Sequence, residues 1–168
     1  ANGYVRGEGV GALVLALESS ASALSPTPMH GDGLVSASVV RHDGKSASLT
    51  APSGSAQATL LRCVAGKLGS PLALALVEAH GTGTPLGDPT ETRSLAEAFS
   101  VQLTLTGVKA NTGHLEPAAG LIGLVALFQA LQRGHAAPNA QLRVINPYLG
   151  GAESGMMLPV AASALCEN

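Results

Sequence analysis

The chain has 168 residues and a formal net charge of −2, with 46% hydrophobic residues but only 2% aromatic ones and no Trp. That length supports one domain with a sizeable core, here built from Ala, Val, Leu and Gly. No basic run is present, which argues against nucleic acid as the main partner, and no apolar run approaches the ~18 residues of a membrane span. Charged residues make up 12%, about half the usual share, which suggests that much of the surface is covered by something else.

The elements follow in chain order. Residues 1–11 are a glycine-rich lead into an apolar run, 12–17, that reads as a buried strand. Residues 19–33, rich in Ser, Ala, Pro and Gly, read as a connection. Residues 34–40, L-V-S-A-S-V-V, alternate as a strand does. After a polar loop, Ser53 or Ser55 is placed to cap a helix running to about Leu68. Its Cys63 shares an apolar stretch with Leu60, Leu61 and Val64 and reads as a buried structural thiol. Cys166 is near the end, and nothing suggests a disulfide framework. A buried strand over 72–77 precedes a turn and a helix to about Phe99. A second strand over 101–109 precedes another turn and the longest helix, from Pro117 to about Gln132, with Gly134 as its terminator. The remainder is irregular apart from a short apolar stretch at 156–160. The order β-α-β-α-β-α indicates an α/β fold with a mixed or parallel sheet.

The two strand-turn-helix units carry the chemistry. Residues 78–91 read E-A-H-G-T-G-T-P-L-G-D-P-T-E, and residues 108–120 read V-K-A-N-T-G-H-L-E-P-A-A-G. Each puts a histidine, His80 or His114, where a strand gives way to a turn, at the sheet edge where α/β proteins bind ligands. Such a pair is able to point both imidazoles into one pocket. A lone histidine beside an apolar segment is more often structural; two in matching settings are less easily dismissed. Neither has metal-ligand spacing. The helix start after His114 disfavours an imidazolium, leaving a neutral ring that donates a hydrogen bond to a carbonyl oxygen gaining negative charge. Lys109 reads either as a surface lysine or as a strand-end cation that orders a carboxylate or water. Asp88 and Glu91 have the form of a capping box, and Glu116 of a cap on its own helix. Residues 81–87 nearly match a dinucleotide fingerprint, but the third glycine comes one residue late and Pro85 intrudes.

Together these residues resemble the β-ketoacyl synthase family, the condensing enzymes of fatty-acid and polyketide synthesis. The two histidine motifs carry the likeness, supported by G-Y-V-R-G-E-G-V-G (3–11), H-D-G-K-S to L-T-A-P-S-G (42–54) and A-P-N-A to I-N-P (137–147). The wording is nearest to ketosynthase domains of modular type I polyketide synthases. The resemblance implies a thiolase-like α/β/α/β/α layered fold, of which this is mainly the C-terminal half. Residues 1–20 would close the N-terminal half, 21–33 connect, and 34–168 form the C-terminal half, truncated before its last strands. It implies acyltransferase chemistry: decarboxylative Claisen condensation of a carrier-bound malonyl unit with an acyl chain on an active-site Cys. His80 and His114 would donate to the malonyl thioester oxygen, and Lys109 would order the His114 region. Thr82 and Thr84 would bind the phosphopantetheine arm of an acyl carrier protein, with no other cofactor. Asp88, Glu91 and Glu116 would be structural residues near the site. Neither Cys63 nor Cys166 has the context of the family nucleophile, so the isolated chain is expected to be inactive. The implied partners are the carrier protein, the N-terminal half of the ketosynthase and a second copy of the parent, in cytoplasm or plastid. A chain-length-factor-like relative acting only by binding is the alternative; a nucleotide-binding domain using residues 81–87 is a third reading.

Overall fold

The structure, a computed structural model, describes residues 5–15, 33–44, 51–67, 76–99, 101–140, 142–149, 156–159 and 163–164. Its centre is a parallel sheet in the order β1 (Leu76–Glu78), β2 (Leu103–Thr106), β4 (Met156–Met157). β2 lies between two partners, with Glu78 opposite Thr106 and Leu103 opposite Met156. All four residues of its L-T-L-T sequence are therefore buried, threonines included, as expected of a strand covered on both faces. A short antiparallel pair, β3 (His135–Ala136) with β5 (Ser163–Ala164), lies apart.

Among the described residues, three long helices and one four-residue helix flank the strands. α1 (Gly54–Lys67) starts where Ser53 Oγ accepts the Ala56 amide at 3.3 Å, the cap expected of a serine there. It packs on α2 (Gly87–Ala98). Ser94 Oγ donates to the Gly54 carbonyl at 3.1 Å, and Arg62 pairs with Glu97 at 2.6 Å. After β2 comes a four-residue helix, α3 (Lys109–Thr112). A 3-10 turn (Glu116–Ala118) leads into α4 (Ala119–Arg133), which lies over β1 and ends at Gly134 in the left-handed conformation, φ 66°. The main core cluster is Ala79, Leu95, Leu103 and Leu105, with Leu61, Val77, Phe99, Met156 and Leu158 packed against it. No helix among the described residues is long and apolar enough to cross a membrane.

Several expectations are corrected. Residues 12–15 and 34–40 form no strand, and most of their apolar side chains stand open, Val14 being 91% and Val40 98% exposed, with Leu13 and Val39 half-buried. A strand exists through its neighbour's backbone hydrogen bonds, and among the described residues none reaches either run, the Ser38 carbonyl accepting only from the Lys67 side chain at 3.3 Å; positions 16–17 lie outside the described residues. Of the first motif strand, 76–78 are in the sheet, one residue beyond the expected end, and positions 72–75 lie outside the described residues. The second is shorter than 101–109, so Lys109 opens a helical turn instead of ending a strand. Cys63 is exposed, not buried. The inner stripe of α1 runs through Ala58 and Leu61, and Cys63, two residues beyond Leu61, falls off that face. Cys166 lies outside the described residues.

Candidate active site

The first turn is held by its own helix. Glu91, one turn into α2, accepts the His80 amide on Oε1 at 2.6 Å and the Gly81 amide on Oε2 at 2.9 Å. Asp88 Oδ1 accepts the Gly83 amide at 3.0 Å, and Thr84 Oγ1 accepts the Gly87 amide at 3.0 Å. The capping-box reading is therefore corrected. α2 is preceded by Leu86, which makes no side-chain cap bond, and the two carboxylates reach back to brace residues 80–83. Gly81 and Gly83 sit at φ 51° and 73°, where glycine is favoured, and that turns their amides toward the acids.

This arrangement decides the nucleotide reading. A dinucleotide turn offers free amides to a pyrophosphate. Here those amides are taken by two carboxylates and a hydroxyl, and the acids would repel phosphate. Isothermal titration with NAD or ATP is expected to show no binding; saturable heat at millimolar ligand would contradict this.

The second turn is held by the N-terminal segment. His114 N–H donates to the Val5 carbonyl at 2.8 Å, and Gly7 N–H donates to the His114 carbonyl at 3.0 Å, a parallel bridge centred on Arg6. Beside it, Glu116 pairs with Arg6 at 3.2 Å. A Cβ on Gly7 would run into the Thr112 carbonyl oxygen and approach Leu115 Cδ2 to 3.2 Å. Backbone cannot move aside cheaply, so Gly7→Ala is expected to lower stability by about 1–3 kcal/mol, read as a lowered midpoint in urea.

These two turns bring His80 and His114 together. Their ring centroids are 5.6 Å apart and the rings stand nearly perpendicular, at 87°. His114 Nδ1 accepts the Glu116 amide at 2.9 Å. A ring nitrogen that accepts carries no proton, so the neutral tautomer has its proton on Nε2. His80 is held below the usual histidine pKa. Partial burial is the main cause, although the residue as a whole is exposed. The Lys109 charge comes second, and Glu91 opposes both. The neutral ring is thus favoured at neutral pH. A depressed folded-state pKa means that this contribution to stability is present above the ordinary value of 6.5 and lost as pH falls through the folded value. The melting temperature is accordingly expected to fall with acidification below that point. His80→Gln should flatten the slope; an unchanged slope would remove His80 as its source.

Lys109 approaches from the loop after β2. That loop is tied to Glu78, whose Oε1 accepts the Val108 amide at 2.6 Å and whose Oε2 accepts the Thr106 hydroxyl at 2.8 Å. Burial pushes the Glu78 carboxyl up, against the opposing pull of these donors and of Lys109. Asn139 Oδ1 accepts the Gly107 amide at 2.8 Å. The sequence motifs contain both Glu78 and Asn139, yet spacing assigned neither a role, because their partners lie about thirty positions away.

Beside the histidines opens a cavity of about 620 Å³, lined among others by Thr82, Gly83, Lys109, Asn139 and Leu142. Thr82 faces it. Thr84 does not, its hydroxyl being taken up by Gly87 and by Thr82 at 3.2 Å. Neither imidazole lines it, but their chain neighbours Gly81 and Gly113 do. No group of three or more metal-ligating side chains occurs among the described residues.

A parallel sheet with two histidine-bearing turns at its carboxyl edge defines an α/β protein of the thiolase-like kind. Residues 33–143 match the model of the β-ketoacyl synthase C-terminal domain, and the chain belongs to that family, as a C-terminal ketosynthase segment of the type I polyketide synthase kind. It is 40% identical over 155 residues to a highly reducing polyketide synthase of Aspergillus terreus, covering 89% of this chain and 6% of the relative. It is 39% identical over 165 residues to the compactin diketide synthase of Penicillium citrinum, covering 96% and 6%. Among solved structures, the ketosynthase from module 1 of the bacillaene synthase of Bacillus amyloliquefaciens superimposes with a TM-score of 0.70 at 31% identity, covering 76% of this chain and 26% of that one. The chain thus spans about 6% of the length of those curated relatives.

Proposed function

We propose that this chain supplies the malonyl side of a ketosynthase that extends an acyl chain in polyketide or fatty-acid synthesis. A malonyl unit arrives on the phosphopantetheine arm of an acyl carrier protein. The bond between its carboxylate and Cα breaks and carbon dioxide leaves. The electron pair passes into an enolate whose charge rests on the thioester oxygen. Cα then attacks the acyl thioester carbonyl on a cysteine outside this chain, and collapse of the adduct expels the thiolate. His80 and His114 donate to the enolate oxygen, Lys109 keeps their surroundings positive, and Thr82 guides the arm, while Thr84 holds the turn through Gly87 and Thr82. Glu91 and Asp88 hold the His80 turn, and Glu116 holds the His114 turn through its amide. The exposed apolar residues of 10–15 and 34–40 are where the N-terminal half and a second copy of the parent would pack.

The observation that carries this reading is the edge-on histidine pair at 5.6 Å, one ring having its Nδ1 occupied by a backbone amide. Two imidazoles side by side, one of them with Nδ1 occupied so that Nε2 is its donor, suit an oxyanion. The test is release of labelled carbon dioxide from malonyl carrier protein by the parent ketosynthase, with and without His80→Ala. Undiminished release by that variant would overturn the reading. The 168-residue chain alone is expected to form no acyl-enzyme with a labelled acyl thioester.

A further inference from the structure

Gly107 and Val108 join β2 to α3 and carry Lys109. Both of their amides are taken by side chains from distant parts of the chain. Gly107 N–H donates to Asn139 Oδ1 at 2.8 Å, and Val108 N–H donates to Glu78 Oε1 at 2.6 Å. Each acceptor is itself fixed. Glu78 Oε2 holds the Thr106 hydroxyl at 2.8 Å. Asn139 Nδ2 donates to the carbonyls of Leu105 at 3.1 Å and Pro159 at 3.4 Å, which settles the orientation of its amide. α4 leaves space for the arrangement, since a Cβ on Gly123 would stand 3.2 Å from Glu78 Cγ.

We propose that Glu78 and Asn139 form a paired clamp on two successive amides that positions Lys109 at the cavity it lines together with Gly81, the chain neighbour of His80, making both positioning residues for malonyl decarboxylation. This rests on the function proposed above. One anchored amide leaves the peptide free to swing; two in succession fix the dihedrals between them and hence where the next Cα starts. Lys109 is the largest charged influence on His80. The others are Glu91 and Asp88 from α2 and His114 from the neighbouring turn. Glu91 and Asp88 are bonded to the amides of residues 80, 81 and 83, and His114 is held by Val5, Gly7 and Glu116. Releasing the clamp therefore moves one charge and leaves the rest. Withdrawing a nearby cation raises the pKa of a histidine, so the acid limb of the decarboxylation profile moves to higher pH.

The experiment uses the parent ketosynthase and measures carbon dioxide release from malonyl carrier protein against pH, with acyl loading of the catalytic cysteine as the control for folding. Glu78→Ala and Asn139→Ala are each expected to load normally, to decarboxylate at least about tenfold more slowly, since a misplacement near 1 Å costs up to about 10²-fold, and to shift the acid limb upward. Glu78→Gln should recover most of the lost rate, because its oxygen still accepts from Val108 and its NH₂ donates to Thr106 Oγ1. If Glu78→Ala does not accumulate as folded protein, Asn139→Ala decides on the same two readouts. Normal rate and an unmoved acid limb in the alanine variants, or no recovery in Glu78→Gln, overturns the clamp. If His80→Ala and His114→Ala abolish release in that same series, the proposed function stands without it; if they too release normally, the proposed function itself falls.

Discussion

His114→Ala in the parent ketosynthase is expected to lower malonyl decarboxylation by about 10²–10³-fold, the usual cost of one oxyanion donor. The size follows from how firmly the donor is placed. The backbone of His114 is bonded on both sides to the 5–7 segment, and Nδ1 is engaged by the Glu116 amide at 2.9 Å. Nε2–H is therefore presented without further rearrangement as charge develops. A shorter side chain leaves a gap that water fills with a mobile donor, which must reorganise during the reaction. His114→Gln should lie between the wild type and Ala, because its amide donates but lacks the anchoring acceptor geometry. Acyl loading of the cysteine should persist in both variants, which separates a lost donor from a lost fold. A decrease of less than threefold in carbon dioxide release would remove His114 from the chemistry.

Glu91→Ala is expected to cost about 2–4 kcal/mol of stability and most of the decarboxylation activity. One carboxylate satisfies two adjacent amides, His80 at 2.6 Å and Gly81 at 2.9 Å. Deleting it orphans both, at about 1–3 kcal/mol for a buried donor and less where solvent reaches it. Gly81, at φ 51°, then has nothing to hold it in the left-handed region, and the His80 ring loses its place opposite His114. Glu91→Gln offers one oxygen to one amide but turns its NH₂ toward the other, so it should lie nearer to Ala than to the wild type. Urea denaturation gives the stability, and carbon dioxide release gives the activity. Wild-type values for both in Glu91→Ala would reduce the pair of bonds to an incidental contact.

Much of the architecture was legible in the chain itself. Gly134 ends the longest helix as a left-handed residue, Ser53 caps the helix it precedes, and both motif strands lie in one parallel sheet. These features depend on residues a few positions apart, where conformational preference and local hydrogen bonding act. The acids of the first motif mark the boundary of that kind of reasoning. D-P-T-E has the spacing of a capping box, but Asp88 and Glu91 bond backwards to residues 80–83, because the turn before the helix folds over its first turn. The failed strands at 12–15 and 34–40 make the same point, since an apolar run or an alternation declares a preference while a ladder needs a neighbour.

What the amino-acid order alone determined is the alternation of strands and helices and the placing of each histidine at a turn, because hydrophobic period and glycine position act over single turns of chain. What only the tertiary structure decided is that the two rings meet at 5.6 Å, that Cys63 faces outward, and that Glu78 and Asn139 converge on the loop carrying Lys109. Those contacts join positions about thirty residues apart, and such distances close only when helices and strands pack together and desolvate the groups between them.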